Sequence, residues 1–353
     1  MKRANWGRAI FYIILLVILA LVPVLFRNLY QLGVITFMLI NVLLAVSCWF
    51  IMTTGQVTLG HAGFAAIGGY VSAALIGKYE VGSWWSLLIA MITAGIIALI
   101  IGYITLRIKG IYFIVATLAL GEVIRVVFGA WDDPFGGLVG IMNLPPPKAI
   151  TLTGLFTVEF ASKVSLYYLT LVLSLGGIVI MSRLNRSPVG LVFHGIRQAD
   201  DLAENVGINI MGYKVLAFVI GCMFAGLAGV LYTYNVGSIQ PSSFTLIQSA
   251  YYLVYVAVGG SLNVFGPILG ALVLNILSEF LRPIKEFEPI VFALILIGAV
   301  LLLQGGLIGL VQTLRRRANE IMTRRSKGAI QGDLLTGRQS QQTISGTGDH
   351  WNG

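Results

Sequence analysis

The sequence predicts an all-α polytopic membrane protein of about ten transmembrane helices, some broken by Gly-rich segments. Three observations lead there. Hydrophobic residues make up 57% of the 353 and charged residues only 10%, with a mean hydropathy of +0.89. A soluble domain carries about 25% charged residues, so this chain lacks the polar surface to face water. Most of its apolar runs are about 17–22 residues long, the length that spans a bilayer's hydrocarbon core. Lys and Arg are also shared unevenly among the connections between runs.

The ten segments are 9–26, 32–52, 60–77, 85–106, 110–128, 165–181, 215–234, 249–262, 264–281 and 290–311. The first follows Lys2, Arg3 and Arg8 and mimics a signal peptide. It is long for the apolar region of one and lacks a small-residue cleavage site, so it reads as a retained first helix. The third and eighth are short or Gly-rich, and charge decides whether they cross. With ten spans and a cytoplasmic N-terminus, inner segments hold sixteen Lys/Arg and outer segments six, with Arg125 inside a span. A re-entrant third segment would put Arg107, Lys109, Arg183 and Arg186 outside, against the positive-inside rule. Both are therefore expected to cross. The chain divides into a cytoplasmic N-terminus (1–8), a transmembrane domain (9–311) and a cytoplasmic tail (312–353). Residues 129–164 form an extracytoplasmic loop stiffened by "WDDPFGG" and "LPPPK", and residues 182–214 form a cytoplasmic loop. The tail is basic, then Gly/Ser/Gln-rich and non-periodic, and is expected to be disordered.

The stretch "TTGQVTLGHAGFAAIGGY", Thr53 to Tyr70, interrupts this pattern with five glycines, three threonines, Gln56 and His61. Irregular backbone at membrane depth is tolerated only where it is buried in protein or lines a watery cavity. Discontinuous helices of this kind build substrate sites near the midplane of transporters. The alternative is tight packing through small residues. Clustering of polar and small residues in one patch favours a substrate-path segment. A second Gly-rich break, "GGSLNVFGPILGA", runs from Gly259 to Ala271. Gly266-x-x-x-Gly270 and Gly305-x-x-x-Gly309 indicate packing only.

Glu122 and Arg125 fall inside the fifth segment, three residues apart and so on one helical face. Charges there are costly and usually face protein or water. They read first as an intramembrane ion pair that locks helices together, and second as a contact for a zwitterionic substrate. Cys48 and Cys222 sit in apolar runs and read as reduced packing residues. His61 and His194 form no metal-ligand pattern, and no cofactor or metal is expected. No Ser/His/Asp set is visible. A P-loop (G-x-x-x-x-G-K-[ST]) is absent, since Gly77-Lys78 is followed by Tyr79 and position 72 is Ser72. The chain is not expected to be an enzyme.

In the inner loop, Ser187-Pro188 marks a helix start, and Val189, Val192, Phe193 and Ile196 recur at helical spacing. Acidic Asp200, Asp201 and Glu204 follow. A rigid amphipathic element at the cytoplasmic mouth suits docking on a separate motor protein. An interfacial helix on the membrane is the alternative, disfavoured by its acidic end beside a negative inner leaflet.

The runs "TTGQVTLGHAGFAAIGGYVSAAL", "RIKGIYFIVATLALGEVIRVVF" and "RQADDLAENVGINIMGYKVLAFVIGCMFAGLAGVLY" resemble the permease subunits of branched-chain amino-acid ABC importers, of LivM type. The resemblance covers about residues 30–311. It implies a second, LivH-like permease, two cytoplasmic ATPase subunits, an extracytoplasmic substrate-binding protein and a multi-pass location in the cell (inner) membrane with both termini cytoplasmic. By resemblance, Gln56, Thr58, Gly60 and His61 belong to the motif near the translocation path. Gly190, Arg197, Glu204 and Gly207 match the loop that couples to the ATPase, and Phe193 on the apolar face is expected to sit in a groove of that partner. The chain departs from the usual pattern at "LVFHGIRQADD", where the family more often has a basic residue and alanine before the I-R. Urea and short-amide importers share these motifs and remain the alternative cargo class. A stand-alone secondary transporter would explain the broken helices but not the coupling-like loop.

Overall fold

The computed structural model describes residues 16–25, 28–152, 156–160 and 162–282, with isolated positions at 14 and between 290 and 309. Helices lie at nine of the ten expected segments. They are α1 (Leu16–Leu25), α2 (Leu29–Met52), α3 (His61–Gly77), α4 (Ser83–Thr105), α5 (Ile111–Ala130), α7 (Lys163–Asn185), α10 (Ile210–Val236), α11 (Leu246–Gly259) and α12 (Phe265–Leu281). The tenth segment, the N-terminus 1–8 and the tail 312–353 lie outside the described residues, apart from isolated positions in the tenth.

Among the described residues five helices, α2, α4, α5, α7 and α10, are long and apolar enough to cross a membrane, at 20–27 residues each. At 1.5 Å per residue they extend about 30–40 Å. By contrast α3 has 17 residues and α11 has 14, or about 25 and 21 Å, short of the roughly 30 Å core. Of the two, α3 starts inside the bundle, at the fully buried His61.

The core is built around α2, α3 and α10, which are apolar on all sides and buried on nearly all of them. Helices of this kind are not oriented by an amphipathic stripe; close backbone approach holds them instead. A Cβ added at Gly229 would lie 1.8 Å from the Ala65 carbonyl oxygen, and one at Gly68 would lie 2.2 Å from that of Gly226. Only glycine permits this α3–α10 contact. The α11–α12 pair meets the same way, through Gly266 and Gly270, as the small-residue spacing indicates. Cys48 and Cys222 are free and buried.

Two features depart from a purely helical chain. The outer loop contains a short helix, α6 (Asp132–Phe135), and an antiparallel hairpin, β1 (Ile150–Leu152) with β2 (Phe156–Val158). It is pinned to the bundle where Ile141 bridges Ile239 and where the Lys148 N–H donates to Ser83 Oγ at 3.1 Å. The inner loop folds into α8 (Pro188–Gln198) and α9 (Asp200–Asn205). As expected, α8 starts with Ser187 at its cap and Pro188 in its first turn, where a missing N–H costs nothing.

Candidate functional site

The first interruption begins where α2 ends at Met52. Thr53 and Thr54 donate their hydroxyls back to the Phe50 and Ile51 carbonyls at 2.6 and 2.8 Å, closing the last turn of α2. Gly55 takes a left-handed conformation, φ +83°, and reverses the chain. The chain up to Gly60 then folds back into the bundle, and α3 starts at His61 beside Ser47, about one and a half turns before the end of α2.

That buried helix start has orphan N–H groups to satisfy, and neighbouring helices satisfy them. Thr117 Oγ1 on α5 accepts from the Leu59 N–H at 3.2 Å, and Ser249 Oγ on α11 accepts from the Ala62 N–H at 2.9 Å. Thr58 Oγ1 accepts from the Gly60 N–H at 3.2 Å. Gly60 and Gly121 touch, and a Cβ at Gly60 would lie 2.4 Å from the Thr117 carbonyl oxygen. His61 is fully buried, with Nε2 2.7 Å from Ser47 Oγ and its ring edge-on to Tyr252. Of the four residues expected on the path, Thr58, Gly60 and His61 thus make internal contacts. Gln56 differs: it is only 7% exposed, lines a cavity, and among the described residues its amide makes no hydrogen bond.

The charged pair in α5 is formed. Arg125 Nε donates to Glu122 Oε2 at 2.7 Å, and both side chains are about one-third exposed, at 32% and 33%. Glu122 Oε1 also accepts from the Leu246 N–H at 3.2 Å. The carboxylate therefore sits at the N-terminus of α11, where the helix dipole favours negative charge, and ties α5 to α11.

The inner loop corrects one expectation. Phe193 is fully buried in this chain's own core, edge-on to Phe50 of α2 and Tyr213 of α10. Ile196 is buried with it. The apolar face of α8 therefore covers the ends of α2 and α10 and is not presented to a partner, because those helix ends need an apolar cover of their own. Gly190 packs against α7: a Cβ there would lie 1.9 Å from the Asn185 carbonyl oxygen. Gly207 is left-handed, φ +82°, in the turn after α9. Arg197, Glu204, Leu191, Leu202 and Val206 are exposed. On the same helix, burial and then the Arg197 charge lower the His194 pKa, which keeps the ring neutral at neutral pH.

Arg197 joins this loop to both interruptions. Its Nη2 donates to Ser261 Oγ at 3.0 Å, inside the second Gly-rich break. The Ser261 carbonyl accepts from Trp49 Nε1 of α2 at 2.9 Å. A Cβ built on Gly55 would touch Arg197 Cα at 3.4 Å, so the first break passes against the same residue. Between the first break, the start of α5 and the inner loop lies a cavity of about 450 Å³ lined by Gln56, Lys109, Ile114, Arg197, Asp200 and Lys214, among others. Lys214 is buried at 5% exposure and donates to Asp200 Oδ2 at 2.6 Å. Among the described residues no His/Cys/Asp/Glu group is arranged to hold a metal.

Sequence reasoning missed Ser47, Thr117, Ser249, Ser261 and the Asp200–Lys214 pair. Isolated hydroxyls in apolar helices are common and carry no spacing that marks a cap. Lys214 does leave a signal, a lysine at the start of an apolar run, but nothing in the sequence tells which acid meets it.

A family model described as "Branched-chain amino acid transport system / permease component" matches residues 30–304. The chain is 30% identical to the Escherichia coli (strain K12) high-affinity branched-chain amino acid transport system permease protein LivM, over 77% of this chain and 65% of that protein. It is 25% identical to a probable LivM of Methanocaldococcus jannaschii, over 62% of this chain and 65% of that protein. A probable LivH from the same organism is 23% identical over 73% and 84%. The matched region thus spans just under two thirds of the length of the LivM relatives. No solved structure matches the chain. With a family model matching residues 30–304, most of its length, the chain belongs to the family of branched-chain amino acid transport permease components.

Proposed function

We propose that this chain is a transmembrane permease subunit of an ATP-driven importer for branched-chain and other apolar amino acids. A second, LivH-like permease completes the path, two cytoplasmic ATPase subunits drive it, and an extracytoplasmic binding protein delivers cargo. It lies in the cell membrane with both termini cytoplasmic, which keeps the Lys/Arg-rich connections inside. Gln56, Thr58, Gly60 and His61 belong to the path, and Gly190, Arg197, Glu204 and Gly207 to the coupling loop.

One observation carries this reading: Arg197, on a loop helix, contacts both interrupted segments. A loop displaced by a motor would move both breaks together. Such a link supplies the differential contacts that a two-state transition needs. Family membership and the LivM and LivH relatives support the cargo class. The test is uptake of labelled leucine by proteoliposomes holding the permease pair, with and without ATPase subunits. ATP-dependent uptake that requires the ATPases is expected. Uptake driven by an ion gradient without them would overturn the reading in favour of a secondary transporter, and uptake of urea but not leucine would change the cargo.

A further inference from the structure

The cavity beside the first interruption contains groups that its surroundings do not use. Its volume of about 450 Å³ lies within the roughly 300–1,000 Å³ common for small-molecule sites. Gln56 enters it almost fully buried and without a hydrogen-bond partner among the described residues. An amide that faces a cavity with no protein partner is free to bond whatever occupies that cavity. Around it the lining is mixed. Lys109 and Arg197 are cationic. Asp200 binds Lys214 through Oδ2, and its Oδ1 makes no hydrogen bond among the described residues. Lys109 is 72% exposed and only 4.0 Å from an exposed Asp201, a contact weak enough to yield to another anion. Val57 and Ile114 supply apolar wall.

This lining matches a small molecule with three features. A carboxylate meets Lys109 and Arg197, an ammonium meets Asp200, and an apolar side chain rests on Val57 and Ile114. We propose that the cavity is a product-side site for a free apolar amino acid, and that its occupation slows import. The proposal rests on the importer reading for its ligand class. Its regulatory part follows from position. The cavity lies between the loop helices and the first break, so an occupant bridges two parts that must move relative to each other. A ligand that favours one arrangement withdraws molecules from the cycle in proportion to its differential affinity.

The test uses the complete importer in proteoliposomes: both permeases, the ATPases and the binding protein. Initial uptake of labelled leucine is measured with unlabelled leucine, isovalerate, isoamylamine or inorganic phosphate trapped on the side from which ATP acts. Trapped leucine is expected to slow uptake severalfold, while the carboxylate alone, the amine alone and phosphate leave it unchanged. Lys109→Gln, at an exposed position, and Ile114→Trp, which fills the cavity, should each raise the leucine needed about tenfold, the loss of one charged or well-fitted contact. Each variant is judged against its own rate without trapped ligand. Calorimetric binding of leucine to the purified importer without its binding protein is the second readout, expected for the unaltered chain and weakened in both variants. If leucine is imported but trapped leucine neither slows uptake nor binds, the site is refuted while the importer reading stands. Slowing unchanged in both variants, or slowing by phosphate in place of leucine, also refutes it. If no leucine is imported, the importer reading fails, and binding then decides the site: absent binding refutes it.

Discussion

The Asp200–Lys214 pair should respond asymmetrically to loss of its partners. Lys214 Nζ donates to Asp200 Oδ2 at 2.6 Å, but the lysine side chain is 5% exposed and the aspartate 26%. Asp200→Ala therefore leaves a largely buried ammonium without its carboxylate partner. Removing one partner of a buried pair costs about 3–5 kcal/mol, moderated by whatever the lysine recovers through deprotonation. Lys214→Met strands a carboxylate that already touches solvent, and an apolar side chain of similar length fills the vacated space. Its cost should be nearer the value of one charged hydrogen bond, about 1.5–3 kcal/mol. The double variant removes the stranded charge and should be no worse than Asp200→Ala alone. Thermal unfolding of the four purified proteins, followed by intrinsic fluorescence at a fixed scan rate because membrane proteins often unfold irreversibly, ranks them. The reasoning fails if Lys214→Met is as damaging as Asp200→Ala, or if the two losses simply add, since contacting residues should couple.

Three further outcomes follow from the same structure. Glu122→Gln should lower thermal stability by about 1–2 kcal/mol, less than for a fully buried pair because both side chains are one-third exposed; normal unfolding with lost uptake would instead assign Glu122 to substrate. Phe193→Asp should lower folded yield sharply, as a charge placed in a sealed aromatic contact. Leu202→Asp, at an exposed loop position, should leave folding intact and weaken co-purification with the ATPase subunits; normal ATPase binding there would place the contact elsewhere.

Much of this fold is legible in the sequence because a bilayer demands long apolar runs, and each described run became a helix within a few residues of its expected bounds. The start of α8 is legible for a local reason: Pro188 fits a first helical turn and Ser187 sits before it. What covers a helix face is not local. Periodicity places Phe193 and Ile196 on one side of α8, but it cannot tell whether α2 and α10 or another protein lies there. Hydroxyls show the same limit. Thr53 and Thr54 look like groups offered to a substrate until the end of α2 takes them. Gln56 stays free only because the chain reverses at Gly55 and turns it into a cavity.

The burial of Phe193 bears on how force could enter this subunit. A loop helix attached only through its ends would swing or melt under load before moving the bundle. Here α8 is fixed on three sides: Phe193 against Phe50 and Tyr213, Gly190 against the end of α7, and Arg197 on Ser261. Close-packed interiors deform little and transmit displacement, so α8 must move with the ends of α2, α7 and α10. The irregular segments, Thr53–Gly60 and Gly260–Val264, both lie against Arg197 or its bonded partner. Neither is held by a continuous helical hydrogen-bond ladder. A push on the exposed side of the loop would thus be converted into a change at the two breaks, with the long helices moving as rigid bodies. The buried apolar face of α8 thus holds the loop to the ends of α2 and α10, beside both interruptions.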